Sequence, residues 1–308
     1  MFKYIAYGQR LNSELLLPEL KESNTEEKPD IFIRLGKLDP PPLEPTPTVC
    51  YCKIDSQEAY LAWEQVGTFL AREGKEIIVD LIPDVEESVV RLFLLGAVLG
   101  MLLHQRGLFI LHASTVNIGN RAVIFMGDKG WGKSTTAGAL HCRGHQLLAD
   151  DVTAIDLSNP DRPMVLPGYG QLKLWPESAI ALNCNPANLP LLHPQLEKRD
   201  YLVKEKLALN PVPLKHIYLL ASGAELSIDS LSTPQALAAV MHNWYCARFG
   251  TQMLQAIAMG EHFSRCTNLI AQIPVFSLKR KHSLDDLDEI ASAIESHLNS
   301  FFHHSNLV

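Results

Sequence analysis

The segment 122–152 constrains this chain more than any other part of its sequence. An apolar, β-prone run at 122–126 leads into the eight residues GDKGWGKS at 127–134, and a helical pattern continues over 133–142. The eight residues match the phosphate-binding pattern G-x-x-x-x-G-K-[ST], which requires a strand before it and a helix after it. Glycines suit such a loop because they permit positive φ angles and a close approach of the backbone to an anion. The sequence therefore predicts a strand, a phosphate-binding loop and a helix in succession.

The predicted loop gives its residues distinct tasks. Lys133 is placed to reach the β- and γ-phosphates of a nucleotide such as ATP, and the Ser134 hydroxyl is placed to ligate Mg²⁺. Backbone amides and the following helix N-terminus are expected to point at the phosphates. The remaining residues expected to contact the phosphates are Gly127, Asp128, Lys129, Gly130, Trp131, Gly132 and Thr135. The alternative is a Gly-rich turn before a helix, without a ligand.

Two acidic residues follow the loop at a short distance. The apolar run 146–149 reads as a strand and ends in Asp150 and Asp151. A carboxylate at a strand end beside a phosphate loop is where a Mg²⁺-binding or catalytic acid belongs. Since adjacent strand residues point to opposite faces, we expect one acid to face the metal and phosphates and the other to face the acceptor. A plain turn is the alternative, because Asp is common at strand ends.

Three segments together resemble the kinase domain of the HPr kinase/phosphorylase family. They are the loop at 127–134, the residues RGH at 143–145 with ADD at 149–151, and LHA at 111–113 upstream. The close resemblance covers about 108–155. It implies an α/β fold with a P-loop kinase domain of HPr kinase/PEP carboxykinase type and a mixed β-sheet. It also implies phosphoryl transfer from a nucleotide to a protein serine.

The same resemblance implies roles by position. Lys133 would be the phosphate clamp, Ser134 the Mg²⁺ ligand and Asp151 the base that deprotonates the acceptor hydroxyl. Asp150 would neighbour it in the active site and share the metal, and His112 would lie beside both. Members of a subgroup linked to lasso-peptide (RiPP) biosynthesis phosphorylate the C-terminal serine of a precursor peptide. The chain resembles that subgroup in its GWGKST loop, in residues 171–177 and in its β-rich front.

Four further residues are candidates for contacts with the acceptor or the transferred phosphate. The E-[IV]-R-G signature of the HPr kinases is missing from 166–177, and Gln171 and Lys173 stand in its place. Lys198 and Arg199 belong to a second polar stretch. A snorkelling surface lysine and a solvated charged turn are the alternatives. The basic run at 279–281 is interpreted as solvated.

The chain is expected to form two domains. Residues 1–83 contain several short β-prone runs and predict a small β-rich domain with a docking or structural role. Residues 84–308 are assigned to the kinase domain. It begins with a capping-box pair, Asp84 and Glu87, which predicts a helix through His104. The apolar core of that helix is short for a membrane span and fits a buried helix.

The composition of the chain excludes some classes of binding partner. The net charge of −7 gives no basic surface for nucleic acid. The six cysteines include no C-x-x-C pair, which favours reduced thiols and a cytoplasmic location. The pattern therefore predicts an ATP- and Mg²⁺-dependent serine kinase that acts on a peptide or protein, without a membrane or nucleic acid partner, with oligomerisation left open. The alternatives are an HPr-type kinase, a small-molecule P-loop kinase or ATPase, and a non-catalytic nucleotide sensor.

Overall fold

The first nine strands of the chain form one sheet in the computed structural model, which describes residues 1–47, 50–281 and 283–305. These strands are β1 (Phe2–Ala6), β2 (Gln9–Ser13), β3 (Lys21–Glu22), β4 (Ile31–Leu35), β5 (Glu44–Pro45), β6 (Tyr51–Ile54), β7 (Glu58–Trp63), β8 (Gly67–Arg72) and β9 (Glu76–Leu81). Their order across the sheet is β3-β1-β2-β4-β9-β8-β7-β6-β5. Burial alternates along most of these strands, so one face of the sheet supplies core residues.

A long apolar helix packs against that sheet. It comprises α1 (Glu87–Phe93), a π-helical turn over Leu94–Val98, and α2 (Leu99–Gln105). The helix begins at Glu87 without a side-chain cap, so the predicted capping box at Asp84 is wrong. Asp84 instead has a φ of 61°, in the left-handed region outside a helix.

The apolar helix is a core element. It shares one hydrophobic cluster with the N-terminal sheet and with strand residues further along the chain, for example Ile33, Leu61, Leu102 and Ile110. Among the described residues, Glu87–Gln105 is the one helical stretch long and apolar enough to cross a membrane, and 67% of its most apolar window is buried inside the protein.

The second sheet carries the predicted loop. Its first five strands are β10 (Phe109–Asn117), β11 (Ala122–Met126), β12 (Gln146–Ala149), β13 (Val152–Asp156) and β14 (Met164–Leu166). A small separate sheet follows, made of β15 (Gln171–Leu174), β16 (Leu191–His193) and β17 (Leu196–Leu202). The second sheet is completed by β18 (Val212–Ser222), β19 (Ser227–Ser230) and β20 (Val275–Arg280). Strand β18 pairs in parallel with β11 and β20, and other pairs are antiparallel, so the sheet is mixed as predicted.

Strand β10 fixes the relative positions of the loop and the acids. Its first half pairs with β13, and its second half pairs with β11 on one side and β12 on the other. The ends of β11 and β12 therefore lie on either side of the same strand. This arrangement brings the loop after β11 next to the acidic pair after β12.

Helices cover both faces of this sheet. They are α3 (Lys133–Cys142), α4 (Pro176–Ala181), α5 (Thr233–His242), α6 (Gly250–Ala256), α7 (Met259–Gln272) and α8 (Leu287–Ser305). Along β11, Val123 and Phe125 join a cluster with α3 and α8, and Ala122, Ile124 and Met126 join a cluster with α5 and α7. Burial on both faces explains why the strand is continuously apolar rather than alternating.

Candidate functional site

The loop between β11 and α3 has the backbone conformation that its glycines predict. Gly130 and Gly132 have φ angles of 88° and 80°, and Gly132 caps the first turn of α3. The φ of Gly132 disfavours larger residues at that position, and a Cβ atom there would lie 2.5 Å from a guanidinium nitrogen of Arg280, which would have to move.

Lys133 lies across the loop. Its side chain is buried, and Nζ donates to the carbonyl oxygens of Gly127 at 2.7 Å and Asp128 at 3.1 Å. Burial lowers the pKa of Lys133, while Asp151 and Asp150 favour the charged form. The ammonium is therefore held at the mouth of the loop, between the backbone and the acidic pair.

Asp150 is held by three donors. Its Oδ1 accepts hydrogen bonds from the Ser134 hydroxyl at 2.9 Å and from the Ser114 hydroxyl, and its Oδ2 accepts from the backbone amide of Lys173 at 3.0 Å. Oxygen ligands suit Mg²⁺, which in nucleotide sites is held by one or two protein groups together with phosphates. The adjacent Ser134 hydroxyl and Asp150 carboxylate fit that requirement and would hold the ion. Within the part of the chain that the structure describes, no cluster of three or more His, Cys, Asp or Glu side chains offers a metal site.

Asp151 has different partners from Asp150. Its Oδ2 accepts from Lys173 Nζ at 2.9 Å, and its Oδ1 lies 3.1 Å from His112 Nε2. Strand β12 ends at Ala149, and Asp151 has a φ of 69°, so the two acids diverge because of a turn rather than by strand alternation. The two carboxylates therefore have different partners, as expected, but a turn at Asp151 separates them instead of the alternation of a strand.

The electrostatic surroundings keep Asp151 ionised. Burial alone would raise its pKa, but the Lys173 ammonium and the hydrogen bond from His112 outweigh burial and hold the pKa well below its usual range. The same ion pair raises the pKa of Lys173 against the effect of burial. Burial lowers the pKa of His112 despite its contact with Asp151. The trio at neutral pH is therefore a carboxylate, an ammonium and a neutral imidazole.

A cavity of about 330 Å³ joins these groups. His112, Asp150, Asp151 and Lys173 line it. The loop and helix residues that line it are Lys129, Gly130, Gly132, Lys133, Ser134 and Thr135. Gly127, Asp128 and Trp131 belong to the loop but not to the cavity wall.

The four further candidates separate into two pairs. Lys173 and Lys198 line the cavity, and Lys198 lies over the Trp175 ring with its ammonium 5.4 Å from the ring centre. Arg199 follows Lys198 on β17, and strand alternation directs it to the opposite face. Gln171 is buried near Asp200 and does not line the cavity.

Asn243 is a site residue that the sequence does not reveal. It ends α5, where its side-chain oxygen accepts from the Gly127 amide at 3.1 Å and its carbonyl accepts from the His112 amide at 2.8 Å. It therefore ties the start of the loop to the strand that carries His112. The preceding His242 contacts the Asp128 carboxylate at 2.7 Å. An Asn at a helix end is common, so no local pattern marks these roles.

Arg280 is a second missed residue. The interpretation of 279–281 as a solvated run is wrong for this side chain, which is 8% exposed and lines the cavity. Its Nη2 donates to the Trp131 carbonyl at 2.7 Å. The alternation of β20 supplies the reason, because Lys279 is exposed and pairs with Asp229 at 3.1 Å on the other face.

Comparison with solved structures gives a distant likeness. No family model matches the sequence, and no curated protein matches it. A similar solved structure is the "Structure of the Hpr(Ser) kinase/phosphatase from Coxiella burnetii", which is 14% identical and has a TM-score of 0.35. The match covers 62% of this chain and 97% of that chain. A likeness at this level carries no conclusion about the activity of this chain.

Proposed function

We propose that this protein is an ATP- and Mg²⁺-dependent kinase that transfers the γ-phosphoryl group to a serine hydroxyl of a peptide or protein. One observation carries the proposal. The Asp151 carboxylate, kept ionised by Lys173, lies in the same cavity as the loop lysine and the Ser134–Asp150 pair. An amide cradle, a lysine, a Mg²⁺ ligand and a base are the parts that phosphoryl transfer requires.

The chemistry follows from these positions. The serine oxygen attacks the γ-phosphorus, the bond from that phosphorus to the β–γ bridging oxygen breaks, ADP leaves, and the serine proton passes to the Asp151 carboxylate. Lys133 neutralises charge on the β- and γ-phosphates, and bound Mg²⁺ would add to this neutralisation. Asp151 needs no raised pKa for this task, because it receives the proton late in the transfer.

We favour a peptide acceptor. The sequence resembles the HPr-kinase-like subgroup of lasso-peptide biosynthesis, whose members phosphorylate a C-terminal serine. We therefore propose a precursor peptide ending in serine as the acceptor, a cytoplasmic location, and no membrane or nucleic acid partner. We assign residues 1–83 to a docking or structural domain and residues 84–308 to the kinase domain.

The test uses labelled nucleotide and defined peptides. The full chain is incubated with Mg²⁺, γ-³²P-labelled ATP and peptides that end in serine, in alanine or in an internal serine followed by alanine. We expect label on the peptides that end in serine. Label on both serine sets would retain the kinase and reject the terminal preference. Label on small molecules alone would indicate a small-molecule kinase, and nucleotide binding without turnover would indicate a sensor.

A further inference from the structure

Arg280 is a buried cation without an anionic partner. No carboxylate among the described residues lies within 4.0 Å of its guanidinium, and Nε makes no hydrogen bond. Burial lowers the pKa of Arg280, with no neighbouring acid to oppose it. By contrast, the half-buried Arg91 pairs with Glu19 at 2.8 Å, and Arg143 pairs with Glu295 at 2.7 Å.

Burying a charge without a partner of opposite charge costs free energy. The position of the Arg280 guanidinium therefore indicates where an anionic ligand would bind. The guanidinium has five N–H donors. One is used by the Trp131 carbonyl at 2.7 Å, and one is directed at the Lys281 carbonyl at 3.4 Å. Three donors therefore remain, of which the Nε–H is buried and makes no hydrogen bond, and the side chain lines the cavity. A planar donor set of this kind matches a phosphate group.

The position of the loop indicates which phosphate of a nucleotide would contact Arg280. Lys133 and Ser134 mark the β,γ end of a bound nucleotide, and Asp151 lies at that end. Arg280 contacts the loop at the Trp131 carbonyl and lies against Gly132, the residue that caps α3. We propose that Arg280 binds the α-phosphate of the donor nucleotide and so fixes the direction in which the nucleotide lies across the loop. This inference rests on the proposed function only in taking a nucleoside triphosphate as ligand.

Nucleotide binding to the full-length protein tests the proposal without any acceptor. Arg280→Met keeps the length of the side chain and removes the donors. We expect the Kd for MgATP to rise about ten- to a hundredfold, the loss typical of a charge-assisted hydrogen bond. The matched control Lys279→Met removes the exposed neighbouring charge and leaves the Kd within about twofold. The wild type is further expected to discriminate between the two diastereomers of ATPαS, and Arg280→Met to lose that discrimination.

The outcomes separate the hypotheses. In the absence of nucleotide, the Tm of Arg280→Met is expected not to fall, because the substitution removes an unpaired buried charge. An unchanged Kd, or discrimination between the ATPαS diastereomers that persists in Arg280→Met, overturns the proposal. A fall in Tm with unchanged affinity would assign Arg280 a structural role alone. If the wild type binds no nucleotide, it is the proposed function that fails.

Discussion

Asp151 combines an unfavourable backbone conformation with two favourable side-chain contacts. A φ of 69° in a residue other than glycine costs on the order of 1–3 kcal/mol and persists only where the surroundings determine it. Here the carboxylate is fixed between Lys173 and His112. Such conformations are concentrated at active sites. We therefore interpret the strain as a consequence of aiming this carboxylate into the cavity.

Substitution of Asp151 separates binding from chemistry. Asp151→Asn keeps the shape of the side chain but cannot accept the serine proton. We expect the rate of phosphoryl transfer to fall by about 10²–10⁴, with MgATP binding retained. Single-turnover assays and calorimetric titration measure the two quantities. Asp161→Asn makes the same chemical change at an exposed position and leaves both unchanged. Equal rates in Asp151→Asn and the wild type would contradict the role of Asp151 as base.

Substitution of Lys133 tests the loop. Lys133→Met removes the ammonium that crosses the loop mouth and keeps the apolar stem buried. We expect kcat/KM for ATP to fall by about 10²–10³, the loss typical of one preorganised charge donor in a transfer site. Steady-state kinetics over a range of ATP concentrations measure it. Unchanged kinetics would rule out the phosphate-loop assignment.

The residues differ in how far the sequence could predict them. The loop is a contiguous pattern whose function is set by local backbone geometry, so its form could be read directly. Arg280 and Trp131 are 149 positions apart, and the contact exists only because β20 reaches the loop through the parallel pairing of β18. Asn243 likewise reaches Gly127 from the end of a distant helix. Tertiary contacts of this kind leave no local sequence signal.

At the scale of elements, the apolar helix of 87–105 is fitted closely to the ring of Tyr245. A Cβ atom at Gly100 would lie 2.8 Å from that ring, whereas a Cβ at Gly96 would lie 3.5 Å from the Tyr245 hydroxyl. We expect Gly100→Ala to lower the free energy of unfolding by about 1–3 kcal/mol through overpacking. Gly96→Ala is the matched control, expected to be neutral or stabilising by up to about 1 kcal/mol. Urea unfolding of both variants measures the difference, and equal effects would contradict the packing described.

The last helix is held to α3 by charge as well as by apolar contacts. Glu295 on α8 accepts from Arg143 at 2.7 Å and contacts His145 at 2.8 Å. The hydrogen bond from Arg143 lowers the pKa of Glu295 to about 2, against an ordinary value of 4.5. The folded pKa lies below the unfolded one, so this stabilisation is present above about pH 4.5 and is lost as the pH falls towards 2.

Glu295→Gln tests this contribution. We expect the free energy of unfolding at pH 7 to fall by about 0.5–1 kcal/mol, because the group is partly exposed and screened by solvent. The difference from the wild type is expected to shrink as the pH is lowered towards about 3. Urea unfolding across that range measures it. A difference independent of pH would contradict the charge contribution.

At the scale of the whole molecule, the N-terminal sheet shares one hydrophobic core with residues from later in the chain. The core includes Tyr4 from the first strand, Leu95 from the π-helical turn and Tyr169 from the loop that follows β14. The Tyr7 hydroxyl donates to the Val152 carbonyl across this contact, and the Tyr169 hydroxyl donates to the Leu95 carbonyl within the same core. The N-terminal residues therefore support, through buried contacts, the segment that carries the acidic pair. The sequence pattern predicts the N-terminal strands but not this shared core. Which elements pack against each apolar face is determined only in the folded chain.

The central claim is that a nucleotide places its terminal phosphate in the loop at 127–134 with the acidic pair beside it. A crystal structure of the full chain with Mg²⁺ and a non-hydrolysable ATP analogue tests it most directly. We expect the γ-phosphate against the loop amides and Lys133, Mg²⁺ between Ser134 and Asp150, and Asp151 facing the open side of the γ-phosphorus. An analogue bound elsewhere, or a γ-phosphate turned away from Asp151, would contradict the account.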